Sequence, residues 1–209
     1  MAITRIGPNQ SINLASNITG TLATGNGGTG ATSFNPASFV KINKSTISSG
    51  TAQIDFNGLF SSTYDKYFVC ANNVQISSNA ALQLYVIIGG SAVSADYSTS
   101  SQAYDASGTS RSYGNTGLSR IAINSAANYA GTTYRHSLQF YIANPLATNQ
   151  WKTINGIYGG WTDQAANTVE VGNFSGAYRG ATTALSGIRI ATSNSATFEA
   201  GDVTLYGVL

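Results

Sequence analysis

The sequence predicts an all-β protein: an antiparallel, jelly-roll-like β-sandwich over residues 39–209, preceded by an extended N-terminal arm over residues 1–38. Three observations carry this expectation. Short segments with apolar side chains at i and i+2 recur from Phe39 onward with turn residues between them, the pattern of half-buried strands. Nowhere do apolar residues recur at i, i+3, i+4 and i+7 over three turns, so helix has no pattern to rest on. Composition also shifts near Phe39. The 38 residues before it hold one charged residue, Arg5, two of the three prolines, Pro8 and Pro36, and the run Gly25-Asn26-Gly27-Gly28-Thr29-Gly30.

In chain order the arm comes first. Ile12, Leu14, Ile18 and Leu22 form an alternating apolar set within it, and the apolar residues of the arm are too few and too widely spaced to bury a core of their own. They are expected to pack between copies of the chain and anchor it. Gly27, Gly28 and Gly30 join them, because near a common axis a Cβ would clash and φ > 0 is often required. The glycine run is not a phosphate cradle, since neither Lys-Ser/Thr nor a helix pattern follows it. Beyond the arm, Val40-Ile42, Ile54-Phe56, Leu82-Leu84-Val86, Leu138-Phe140-Ile142, Ile188-Ile190 and Val203-Leu205 alternate inward. Gln83, Tyr85, Gln139, Tyr141, Arg189 and Thr204 fall on the opposite faces. The segments count to about nine to eleven strands over residues 39–209, which fits a two-sheet jelly roll or a related sandwich. Residues 94–117 form the longest polar interruption and are expected to be mostly loop, with one weak strand around Tyr97 to Tyr104.

Composition excludes several function classes. Charged residues make up 9% of the 209, against about a quarter in ordinary domains. The surface must therefore be built from Ser, Thr, Asn, Gly and Tyr, which suits an extracellular or particle-bound protein. The ten basic residues are scattered from Arg5 to Arg189, a poor footprint for nucleic acid. Cys70 is the single cysteine, so neither an internal disulfide nor a Cys-based zinc site is open to the chain; within Tyr67-Phe68-Val69-Cys70 it reads as a small buried hydrophobe. His136, the only histidine, shares a strand face with Leu138 and Phe140 and reads as packed rather than catalytic. The eight carboxylates show no i, i+2 pair of the kind that would face across a glycosidic bond. Glu199 and Asp202 straddle an expected turn at Gly201, and Asp163 and Glu170 lie one loop apart. Asp96, Asp105 and Asn115 lack the fixed spacing of a calcium loop. The expectation is no enzyme, no cofactor and no metal. The opening residues lack a signal-peptide pattern and no window approaches 18 apolar residues, so neither secretion nor membrane insertion is expected.

Tyrosine carries more information. Tyr97, Tyr104 and Tyr113 punctuate a stretch of Ser, Gly, Asn and Asp, and Tyr158, Trp161, Tyr178 and Arg179 form a second such set. Rigid amphipathic rings among small, adaptable hydrogen-bonding residues are the composition of binding loops. These seven are the candidate receptor-binding residues.

Ile18-Thr-Gly-Thr-Leu-Ala-Thr-Gly-Asn-Gly-Gly-Thr-Gly-Ala-Thr-Ser33 resembles the linker of bacteriophage tail fibres and related virion appendages, in which an Asn-Gly-Gly-Thr-Gly core precedes a receptor-binding head. The stretches 184–193 and 198–208 are similar to the terminal strand pair of those proteins, as is Phe56-Asn-Gly-Leu-Phe-Ser-Ser-Thr-Tyr-Asp-Lys-Tyr67. The resemblance implies a non-enzymatic virion structural protein, made in the host cytoplasm. It implies a homotrimer attached through its arm to other virion proteins, with a β-sandwich head that meets a host-surface glycan or protein. A capsid fibre or head decoration protein is the alternative, and a small carbohydrate-active enzyme a third reading.

Overall fold

The computed structural model describes residues 39–124, 128, 130–162 and 168–209. The arm residues Ile12, Leu14, Ile18, Leu22, Gly27, Gly28 and Gly30, and Asp163, lie outside the described residues. The strands are β1 (Phe39–Thr46), β2 (Gln53–Asn57), β3 (Lys66–Ile76), β4 (Leu82–Ile88), β5 (Ser91–Ala92), β6 (Tyr97–Asp105), β7 (Ser110–Leu118), β8 (Ile121–Ala122), β9 (His136–Ala143), β10 (Lys152–Thr162), β11 (Thr168–Tyr178), β12 (Gly187–Thr192) and β13 (Phe198–Val208). No helix occurs among the described residues, and so none is long and apolar enough to cross a membrane.

Two antiparallel sheets pack as a sandwich. The larger runs β1-β13-β3-β9-β10-β11-β6-β7, and the smaller runs β2-β12-β4-β5 with β8 paired to β4. Period-2 alternation sets the core. Tyr67, Val69, Leu138, Phe140, Ile142, Ile154, Phe174, Val203 and Leu205 point inward from the large sheet and meet Ile54, Phe56, Leu82, Leu84, Val86, Ile188 and Ile190 of the small one. All six alternating segments read from the sequence are strands. Glycines set where neighbours come close: a Cβ on Gly156 would lie 2.3 Å from the Gln139 carbonyl oxygen, and one on Gly176 would lie 2.5 Å from Ile121 of β8.

Three expectations are corrected. In residues 94–117 the strand expected around Tyr97 to Tyr104 is β6, but the remainder is not loop: it holds β7, the hairpin partner of β6, paired from Tyr97↔Leu118 to Tyr104↔Ser110. The inward side chains of β6 are Tyr97, Thr99, Ser101, Ala103 and Asp105, so the strand carries almost no hydrophobic alternation to read. Cys70 is half-exposed rather than core, because Tyr67, Val69 and Ala71 take the inward positions of β3 and leave Phe68 and Cys70 outside. Gly201 makes no turn: β13 continues through it at φ +117°, with register shifts between Phe198 and Ala200 and between Ala200 and Asp202. That is a β-bulge, for which glycine supplies the backbone freedom.

Candidate functional site

Cross-strand register fixes what the large sheet shows on the face away from the core. One row runs Phe39, Val208, Lys66, Ala143, and the next runs Lys41, Tyr206, Phe68, Tyr141, Asn155, Ser175, Ser100, Gly114. A third holds Thr204, Cys70, Gln139, Ile157, Asn173, Gln102 and Ser112, and a fourth carries Gly159, Val171, Tyr104 and Ser110. From β9 across to β7, no described outward position bears a charge.

This neutral surface is divided chemically. Phe39, Phe68, Tyr141 and Tyr206 cluster at one corner, with Phe68 centred 5.4 Å from Phe39, 4.8 Å from Tyr141 and 6.0 Å from Tyr206. Two hollows adjoin them. One is lined by Phe68, Gln139, Tyr141, Asn155, Gly156 and Ile157, the other by Phe39, Lys66, Tyr141, Ala143, Asn155 and Val208, so Tyr141 forms the ridge between. Across β10, β11, β6 and β7 a shallow groove is lined instead by small residues, among them the polar side chains of Ser98, Ser100, Asn115, Thr116, Thr153 and Ser175 beside Gly176 and Ala177, whereas Thr99 turns its hydroxyl inward to the Ala122 carbonyl. Toward the end of the sheet opposite Phe39 lie Val171, which is 60% exposed, Tyr104, which is 51% exposed, and Trp161. Trp161 is steadied edge-on by Tyr134 at 5.5 Å.

The candidate receptor-binding residues therefore separate. Tyr104, Tyr113, Trp161 and Arg179 are at least partly exposed. Tyr97, Tyr158 and Tyr178 are buried, and none offers its ring to a partner. Tyr97 is a strut between the sheets: its hydroxyl accepts from the Val86 amide at 2.9 Å and donates to the Val93 carbonyl at 2.9 Å. Burial pushes its phenol pKa well above the ordinary range and raises that of Tyr178, whose ring is 5.4 Å away. Tyr113 pairs with Ser101 and so faces the opposite side of the sheet from Tyr104. The sequence reading missed Trp151, which is 57% exposed with the Arg179 guanidinium 5.9 Å from its ring centre. A tryptophan preceding a strand among polar residues was the available signal.

The fold also assembles a buried polar cluster that sequence spacing concealed. Glu170 of β11 pairs directly with Asp105 of β6, and Arg111 of β7 reaches both, at 3.2 Å and 2.9 Å. Tyr158 donates its hydroxyl to the second Glu170 oxygen at 2.8 Å. The Ser107 hydroxyl and the amides of Ser107 and Thr109 hold the other Asp105 oxygen. Two neighbouring carboxylates could serve hydrolysis, but here their oxygens are engaged by internal partners, an arrangement that ties β6, β7, β10 and β11 together. His136 is buried as its strand pattern predicts, its ring against Gly160, the residue of β10 that pairs with Glu170. Among the described residues no group of His, Cys, Asp and Glu could hold a metal ion.

The cluster makes a pH prediction. The Ser107 hydroxyl, then the amides of Thr109 and Ser107 and the Arg111 charge, hold the Asp105 pKa below its ordinary 3.8; Ser49 and Thr197 likewise depress Glu199 below 4.5. A carboxylate whose folded pKa is depressed contributes stability that is fully present above its unfolded pKa and is lost as pH falls through the folded value. Thermal melts should be level above about pH 5 and fall steadily toward about pH 2, and Ser107→Ala should blunt that fall. An acid profile unchanged by Ser107→Ala would contradict this assignment.

No known protein family, curated protein or solved structure matches the chain.

Proposed function

We propose that the chain is a non-enzymatic structural protein of a bacteriophage particle. It is a short tail fibre or spike, homotrimeric and held to other virion proteins by residues 1–38, whose sandwich head contacts a glycan or protein on the host surface. The supporting observation is the neutral outward face of β9 to β7, a field of hydroxyl and amide side chains with exposed aromatic rings at its margins. Such a face matches a glycan, whose hydroxyls exchange hydrogen bonds with Ser, Thr and Asn while its C–H faces lie on Tyr and Trp rings. Tyr104 and Trp161 stand toward the end of the sheet opposite Phe39, the residue at which the chain passes from residues 1–38 into the head. The linker resemblance points the same way.

Adsorption to host cells tests this. Tyr104→Ala and Trp161→Ala should each weaken attachment by about 2 kcal/mol, roughly thirtyfold, while melting temperature and oligomer mass hold. Purified wild-type protein should compete with the particle for cells, and the double variant should not. Undiminished competition by a folded double variant would contradict the proposed role of this end of the sheet.

A further inference from the structure

The ring cluster at the Phe39 corner has a different character from the hydroxyl groove, and it calls for a different partner. We propose that the outward corner formed by β1, β13, β3, β9 and β10, centred on Phe68, Tyr141 and Ile157, is the surface through which heads of this chain pack against one another. The inference rests on the homotrimeric appendage reading above and adds to it the interface.

Three observations favour a second copy over any other occupant. The first is where the chain enters: Phe39 is both the first residue of β1 and a member of the ring cluster, 5.4 Å from Phe68 and 6.3 Å from Tyr206. If the arms converge on a common axis, the covalent connection brings this corner of every head toward that axis. The second is charge. A face that meets its own copy must not repel itself, and of the charged outward residues described here Lys44 is paired with Asp202 at 3.5 Å, while Lys41 and Lys66 stand on the margin, where lysine stems can carry the ammonium groups past a rim into water. The third is size and relief. Five strands about 4.8 Å apart and about 26 Å long present on the order of 600 Å² in flat projection, near the roughly 800 Å² each partner commits to a stable interface. The Tyr141 ridge between two hollows gives that area a shape able to interdigitate. Tyr141 is 42% exposed and Ile157 55% exposed in the single chain, large apolar area for a surface to leave in water.

Cys70 supplies a built-in reporter. It lies on this face, paired across strands with Gln139 and Thr204, and it is the only cysteine in the chain.

The test uses the full-length chain, comparing wild type with Ile157→Glu and Tyr141→Glu. Both residues are exposed, so the fold should survive, and circular dichroism and melting verify that it does. The wild type is expected at three chain masses by light scattering, with Cys70 slow toward iodoacetamide. Each variant is expected to fall to one chain mass, a threefold loss, with Cys70 reacting faster, while Tyr104→Ala keeps both properties of the wild type. A wild type at one chain mass would remove the trimer reading itself. A trimeric wild type whose variants stay trimeric with Cys70 unchanged would overturn this inference alone. So would variants that stay trimeric yet lose host adsorption, since the corner would then be a receptor platform.

Discussion

Replacing Lys152 by methionine is expected to destabilise the head by about 3–5 kcal/mol, lowering its melting temperature by about 10 °C. Lys152 is fully buried, and its ammonium donates to three backbone carbonyls, those of Ala147, Gln150 and Thr182. Three donors meet three acceptors, so the group is satisfied without a carboxylate. Burial nevertheless pushes its pKa down, because the charge has left water. The bonds pin the segment between β9 and β10 to the segment between β11 and β12. Methionine matches the length and apolar stem but donates nothing, leaving three carbonyls without their shared partner. Relief from burying a charge offsets part of that loss and is included in the range. A melting temperature within a degree or two of wild type would mean that water replaces the ammonium at no cost.

Arg111→Met is expected to cost a similar amount, about 3–5 kcal/mol, because removing one partner of a buried ion network strands the others. Arg111 is the cation between Asp105 and Glu170, whose side chains are 1% and 3% exposed. Without it two carboxylates face each other across β6 and β11. The signature is in the pH dependence. Protonating a carboxylate relieves the repulsion in the variant, whereas in the wild type acid removes a favourable contact, so the stability gap should be widest near neutral pH and narrow as pH falls. Chemical denaturation of both proteins across that range measures it. A gap independent of pH would show that Arg111 matters through packing of its stem rather than through its charge.

The sequence disclosed the sandwich wherever strands put large apolar residues inside. β9 is the clear instance, with Leu138, Phe140 and Ile142 inward and Ser137 and Tyr141 outward. It showed β6 only as a weak strand, because its inward positions are mostly small or polar, and it concealed β7 and the pairing that makes Asp105 and Glu170 neighbours: 65 residues separate them in the chain, yet one register step joins them. Tyrosine was ambiguous for a physical reason. Its ring favours the core and its hydroxyl favours water or a partner, so Tyr97 and Tyr104, seven residues apart on one strand, take opposite fates that strand parity alone decides. The ring cluster was illegible for the same cause as the Asp105–Glu170 pairing: Phe39, Phe68, Tyr141 and Tyr206 come from four strands remote in sequence, and only sheet order gathers them.

The central claim, that this is an appendage whose head faces the host, meets its most direct test in the position of the protein on the particle. Antibodies raised against residues 39–209, coupled to gold and viewed on purified phage by electron microscopy, should mark the distal end of the tail and block adsorption when bound. Label spread over the capsid, with adsorption unaffected, would contradict the account and make the chain a decoration protein.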